Sequence, residues 1–183
     1  MTSEQALAQL IERLEEDHVA YMLVGALSSN LYGVPRATDD ADLVISFDGF
    51  DVVRFCQTLG EKFVLDRQMM MEGFTGSVRH VLHFSPTGFD IELFRLGDDL
   101  HHRERFGRRR RQHVPECSRE AWVATAEDVV VQKLRWARRK DLDDIVDLIA
   151  VSGAGLDWAY IDRWTEIHGT TDLLKQLCRE AAG

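Results

Sequence analysis

Two carboxylates, Asp40 and Asp42, flank the single apolar residue Ala41 at the head of the mostly apolar run Leu43 to Phe47. Side chains on a strand alternate between its faces, so a strand here points both acids the same way. Like charges held side by side repel, and each loses hydration. A strand that tolerates this suits a neutralising cation, and oxygen ligands suit Mg²⁺ or Mn²⁺. The same spacing returns in FDIELF, where Asp90 and Glu92 share one face and Phe89, Ile91 and Leu93 the other. A competing reading makes ATDDAD a loop with solvated acids.

The stretch from Tyr21 to Ile45 must position these acids. Val19 to Val24 reads as a buried strand, Gly25 breaks it, and Ala26 to Tyr32 reads as a short helix stopped by Gly33 and Pro35. A glycine between strand and helix start leaves amides free and lets a phosphate approach the backbone. Ser28 and Ser29 can add hydroxyls. Arg36 and Thr38 come just before the acids; Arg36 can grip a phosphate with two N–H groups or pair with Asp39 or Asp40. Nucleotidyl transfer needs metal ligands, phosphate donors and cations that absorb charge as pyrophosphate leaves, and this stretch has a candidate for each.

The rest of the chain is framework. Ser3 to Asp17 is an amphipathic helix with Leu7, Leu10, Ile11 and Leu14 on one stripe and a capping box from Thr2 and Gln5. Phe50 to Leu59 is a helix stopped by Gly60, and Phe63 to Asp66 a strand. The methionine-rich 68–77 reads as a loop or strand start. Val78 to Phe84 and Phe89 to Phe94 form a hairpin around Ser-Pro-Thr-Gly. From Ala126 the pattern is helical, with caps at Thr125, Asp157 and Thr171. These readings give an α+β fold: a small mixed β-sheet with flanking helices, then a helical C-terminal part. The domain division is 1–118 for the core and 119–183 for the helical region.

Composition limits the function. The 183 residues are 45% hydrophobic and 29% charged, enough for one domain with a sizeable core. A net charge of -9 argues against broad nucleic-acid binding, although the arginines between Arg103 and Arg111 leave room for a local phosphate or RNA patch, or simply a solvated face. Cys56, Cys117 and Cys178 are odd in number and far apart, and neither they nor the histidines make a zinc pattern. The N-terminus lacks the features of a signal peptide, and no window is long and apolar enough to span a membrane. The expected location is cytoplasmic.

GALSSNLYGVPRATDDADLVI, residues 25–45, resembles the signature of the polymerase-β-like nucleotidyltransferase superfamily, and within it the bacterial abortive-infection and toxin-antitoxin type enzymes. The matching positions are Gly25, Ala26, Ser28, Gly33, Pro35, Arg36, Thr38, Asp40 and Asp42. The resemblance covers most of residues 19–149. It implies Asp90 as the third acid and a later helical motif, TAEDVVVQKLRWARRKDLDDIVDL, that brings Lys133 and Asp141 or Asp144 near the site. Lys133 would then neutralise the triphosphate; otherwise it is a solvated helix lysine. The resemblance also implies an NTP donor, two divalent ions (Mg²⁺ or Mn²⁺), one of them shared by Asp40, Asp42 and Asp90, and an acceptor that is RNA, protein or a small molecule. A toxin with a protein partner and a non-catalytic binding module are both open. The pattern departs at Ala26, where many members carry Gly or Ser: a methyl group cannot bind phosphate, which leaves Ser28 as a stand-in.

Overall fold

The computed structural model describes residues 1–66, 68, 70–71 and 78–183. In chain order the helices are α1 (Ser3–Glu16), α2 (Gly25–Ser29), α3 (Val52–Leu59), α4 (Leu100–Arg108), α5 (Ala126–Trp136), α6 (Arg139–Ser152), α7 (Trp158–His168) and α8 (Thr171–Ala181). The strands are β1 (Tyr21–Val24), β2 (Asp40–Ile45), β3 (Phe63–Leu65), β4 (Met70–Met71), β5 (Val78–Phe84), β6 (Phe89–Arg95), β7 (Arg110–Val114) and β8 (Arg119–Val123). Apart from Gln68 and β4, the methionine-rich segment lies outside the described residues.

The strands form one mixed sheet in the order β3-β5-β6-β2-β1-β8-β7, with β4 on β5. The pairs β2–β6 and β1–β8 are parallel and the others antiparallel. Ala41, Leu43, Ile45, Ile91 and Leu93 face one core, closed by Leu7, Leu10, Ile11 and Leu14 of α1 and by Phe55 and Leu59 of α3. The capping box expected at the start of α1 is present. Met22, Val24, Val44 and Phe94 face the second core, which α5 to α8 close through Val130, Leu134, Ile145, Leu148, Ile161 and Leu177. Each fully buried leucine or isoleucine contributes about 1.5–3 kcal/mol relative to exposure, so both helical layers are anchored by ordinary apolar burial. The α+β architecture is the one expected. The last strand begins at Arg119 and the helical part at Ala126, where Thr125 accepts the Asp128 N–H as cap.

Residues 100–108 differ from the sequence expectation of a solvated basic run. Asp99 caps α4 by accepting the His102 N–H at 2.8 Å, and the face the helix buries is His101, His102, Arg105 and Phe106. A mostly polar buried face leaves no apolar stripe to read. The arginines that follow are largely engaged inside the protein. Arg108 lies 3.8 Å over the Tyr160 ring and pairs with Glu127 and Asp128. Arg109 donates to the Phe106 carbonyl and stacks on the Phe106 and Trp122 rings. Arg111 and Arg119 both pair with Glu15 of α1. Among the described residues, no helix is long and apolar enough to cross a membrane.

Candidate functional site

The parallel pairing of β2 with β6 sets the geometry of the acids. Asp40 lies opposite Asp90 and Asp42 opposite Glu92, all four on the sheet face away from Ala41 and Ile91. His83 lies beside Asp90, its Nδ1 2.6 Å from the carboxylate. Glu92 accepts a hydrogen bond from Arg79 at 2.5 Å. A cleft of about 130 Å³ opens on this face, lined by Asp40, Asp42 and Glu92 on the strand side. Asp90, the acid the resemblance implied, shares their face but is not part of that lining.

Gly25 is shaped by Asp42. Its φ is +63°, and a Cβ placed there would sit 1.9 Å from Asp42 Oδ2. Glycine is required twice over, by the backbone conformation and by the close carboxylate. Asp42 is pressed on by its surroundings: burial, then the charges of Asp40 and Glu92, push its pKa up to about 7. Burial likewise raises Glu92, with Arg79 opposing. Thr38 donates its hydroxyl to Asp40 at 2.5 Å.

The opposite wall is basic and comes from the loop before β2, from α5 and from the start of α6. Arg36, Lys133, Arg138 and Lys140 line the cleft with Trp136 and Asp141. Lys133 is buried, 2.6 Å from Asp144 and 3.4 Å from Asp141. Arg36 holds Asp144 through two hydrogen bonds of 2.9 and 3.1 Å, and Arg138 holds Asp141 through two of 2.6 and 3.1 Å. Arg36 therefore pairs with Asp144, not with Asp39 or Asp40 as the sequence alone allowed. Lys133 is no solvated helix lysine. Both Asp141 and Asp144 belong to the network.

Gly25, Ala26, Arg36, Asp40, Asp42 and Lys133 are thus brought to one cleft. Thr38 reaches it through Asp40. Ser28 does not face it: the residue is buried and its hydroxyl donates to the Gly25 carbonyl at 3.1 Å. A small side chain at the start of a short helix finds its nearest acceptor in the preceding turn. Sequence reasoning passed over Glu92, Arg79, Trp136, Arg138 and Lys140. The FDIELF pattern already put Glu92 on the right face; the strand register that sets it opposite Asp42 has no sequence signal.

Two larger depressions lie elsewhere. One of about 480 Å³ borders Arg13, Asp17 and Asp51, but Arg13 pairs with Asp17 and Asp51 caps α3. The other, of about 640 Å³ beside α3 and β3, is mainly apolar. Of these three, among the described residues, the smaller cleft is the one that sets Asp40, Asp42 and Glu92 against a wall of cations.

Among the described residues, no three His, Cys, Asp or Glu side chains are gathered closely enough to form a metal cluster as they stand. However, Asp40, Asp42 and Glu92 are hard oxygen donors on one face, of the type that suits a divalent cation, and burial together with the charges of Asp40 and Glu92 raises the Asp42 pKa.

No family model and no curated protein matches the sequence. Among solved structures, the chain resembles the antibiotic-resistance factor ANT(2'')-Ia with a TM-score of 0.57 at 12% identity, over 94% of this chain and 96% of that one. The chain has the nucleotidyltransferase fold. Two weaker likenesses are to Helicobacter pylori proteins: JHP933, with a TM-score of 0.46, 12% identity and coverage of 98% and 93%, and a proposed nucleotidyltransferase, with a TM-score of 0.42, 12% identity and coverage of 98% and 98%.

Proposed function

We propose that this protein transfers a nucleoside monophosphate from an NTP to a hydroxyl-bearing acceptor. The observation that carries the reading is the cleft's division into two walls, Asp40, Asp42 and Glu92 on the strands and Lys133, Arg138 and Lys140 on the helices. Phosphoryl chemistry needs both: acids to hold a cation, and cations to receive a triphosphate. Asp40, Asp42 and Glu92 would hold Mg²⁺ or Mn²⁺, with Asp90 the acid the resemblance favours. Such an ion, when bound, neutralises the acids and polarises phosphate and hydroxyl oxygens. Arg138 and Lys140, which line the cleft, would take up charge that the phosphate oxygens gain, and Lys133 would fix the helical wall through Asp141 and Asp144.

The acceptor favoured is a small, cationic, hydroxyl-bearing molecule. The net charge of -9 attracts cations. Of the arginines between Arg103 and Arg111, Arg108, Arg109 and Arg111 are engaged by Glu127, Asp128, Glu15 and aromatic rings, while Arg110 is exposed. A toxin role with a protein partner rests on the sequence resemblance.

The test is release of pyrophosphate from each NTP with Mg²⁺ or Mn²⁺ across small polyhydroxylated amines, RNA and protein acceptors. Asp42→Ala should abolish release while thermal unfolding stays cooperative; full activity in that variant removes the assigned site. A second reading, a non-catalytic nucleotide-binding module, is favoured by Ala26 and by the engagement of Arg36 and Lys133 with Asp144. Calorimetric NTP binding without pyrophosphate release on any acceptor would select it.

A further inference from the structure

Beneath the Gly25 turn is a buried guanidinium without a direct partner. Arg105 of α4 is 6% exposed, its Nε has no hydrogen-bond partner, and it takes part in none of the ion pairs found among the described residues. The acid whose charge acts most on Arg105, Asp128, is already engaged by Thr125, Tyr160 and Arg108, with His101 at 3.6 Å. Burial lowers the pKa of Arg105 to about 10, which still leaves it charged at neutral pH. A buried charge without a close counter-ion is destabilising, and an anionic ligand can offset that cost.

Two neighbouring groups share this condition. Gln132 is 5% exposed with its side-chain oxygen unpaired, and the Trp136 indole N–H is buried without an acceptor. Arg105, Gln132 and Trp136 together line two small spaces of about 10 and 20 Å³. The first also borders Gly25 and Lys133, and the second Phe94, residues that line the acid-and-base cleft as well. Trp136 borders all three. Each small space holds at most about one water, so a larger occupant enters only if the Trp136 side chain turns. Its unpaired N–H means that turning breaks no hydrogen bond. It ends α5, and Ala137 after it has a left-handed backbone, φ +48°.

We infer that Arg105, with Gln132 and Trp136, forms a recess off the cleft that receives the terminal phosphate of a bound nucleoside triphosphate. The inference rests on the nucleotide-dependent function proposed above and names a phosphate-selecting site within it. The Arg105 fork can donate two parallel hydrogen bonds to a phosphate. The Gln132 amide can present its nitrogen as a donor, since the assignment of its oxygen and nitrogen is set by its partners. The displaced Trp136 N–H supplies a further donor. Recognition is then of the triphosphate tail, whatever base is attached.

The test is titration of the full chain with NTP, the matching NMP and inorganic tripolyphosphate, followed by calorimetry and tryptophan fluorescence. The wild-type protein should bind NTP at least about tenfold more tightly than NMP and should bind tripolyphosphate. Arg105→Met, which keeps the stem's packing, should weaken NTP and tripolyphosphate by about tenfold or more and leave NMP within about twofold. Arg105→Lys, the second variant should methionine not fold, should lose most of the preference because the fork is gone. Trp136→Phe should remove the fluorescence change that tripolyphosphate produces. Wild-type affinity for NTP and tripolyphosphate in both Arg105 variants overturns the recess and leaves the proposed function standing. A wild-type protein that binds neither NTP nor NMP overturns both.

Discussion

Asp42 Oδ2 occupies the place that a side chain on residue 25 would need, 1.9 Å from where a Cβ would be. The turn and the acid are therefore one unit: the carboxylate can come this close only because the strand-to-helix turn carries no side chain. Gly25→Ala must push Asp42 aside and also hold a φ of +63°. The left-handed backbone alone costs about 1–2 kcal/mol. Urea unfolding should show a loss of at least that size, and pyrophosphate release should fall with Asp42 displaced. Unchanged stability and activity in Gly25→Ala would show that the turn is not coupled to the acid.

The strand register separates the two candidates for the third acid. Glu92 faces Asp42 and lines the cleft, whereas Asp90 faces Asp40 and has His83 beside it. Glu92→Gln should therefore reduce transfer far more than Asp90→Asn, by about a hundredfold against less than tenfold, the scale of losing one charge-stabilising group. Steady-state rates at saturating NTP decide it. The reverse order would return the role to Asp90.

The raised pKa of Asp42 makes a signed statement about stability. Its carboxyl ionises near 3.8 when unfolded and near 7 when folded, so between those values the folded state holds more protons. Stability from this group is full below the lower value and is lost as pH rises through the upper one, at about 1.4 kcal/mol per pH unit. In EDTA, Asp42→Asn should unfold at a higher denaturant concentration than wild type at pH 8, with the difference shrinking towards pH 4. A difference independent of pH would show that Asp42 does not titrate in this way.

Much of the framework was legible because its signals are local. The apolar stripe of α1, its Thr2–Gln5 cap and the Ser-Pro-Thr-Gly hairpin each lie within a few residues of their cause. The pairing of Asp40 with Asp42 followed from strand alternation alone. The residues that escaped depend on distant contacts. Glu92 needed the register of two strands far apart in sequence. Arg36 found Asp144 more than a hundred positions away. α4 buries histidines and an arginine, so its pattern resembled a surface run. Ser28 lay in the expected helix but turned back to its own backbone, an outcome that motif spacing does not encode.

The last relation to test is the role of Asp144 as the hub of the helical wall. It accepts from Arg36 at 2.9 and 3.1 Å and from Lys133 at 2.6 Å, tying the loop before β2 to α5 and α6. Burial alone would raise its pKa, but the hydrogen bonds and charges of Arg36 and Lys133 hold it below the usual value. Such a group stabilises the fold above its unfolded pKa, and that stability is lost as pH falls through the folded one. Asp144→Ala strips Lys133 of its closer partner and Arg36 of its only paired carboxylate among the described residues. Breaking a buried pair in this way costs about 3–5 kcal/mol. Lys133→Met should cost less, because Asp144 keeps Arg36 and Asp141 keeps Arg138. Denaturant unfolding of the two single variants and the double variant checks this through the coupling energy. Strict additivity would mean that Lys133 and Asp144 stabilise the protein independently and that the wall is not one network.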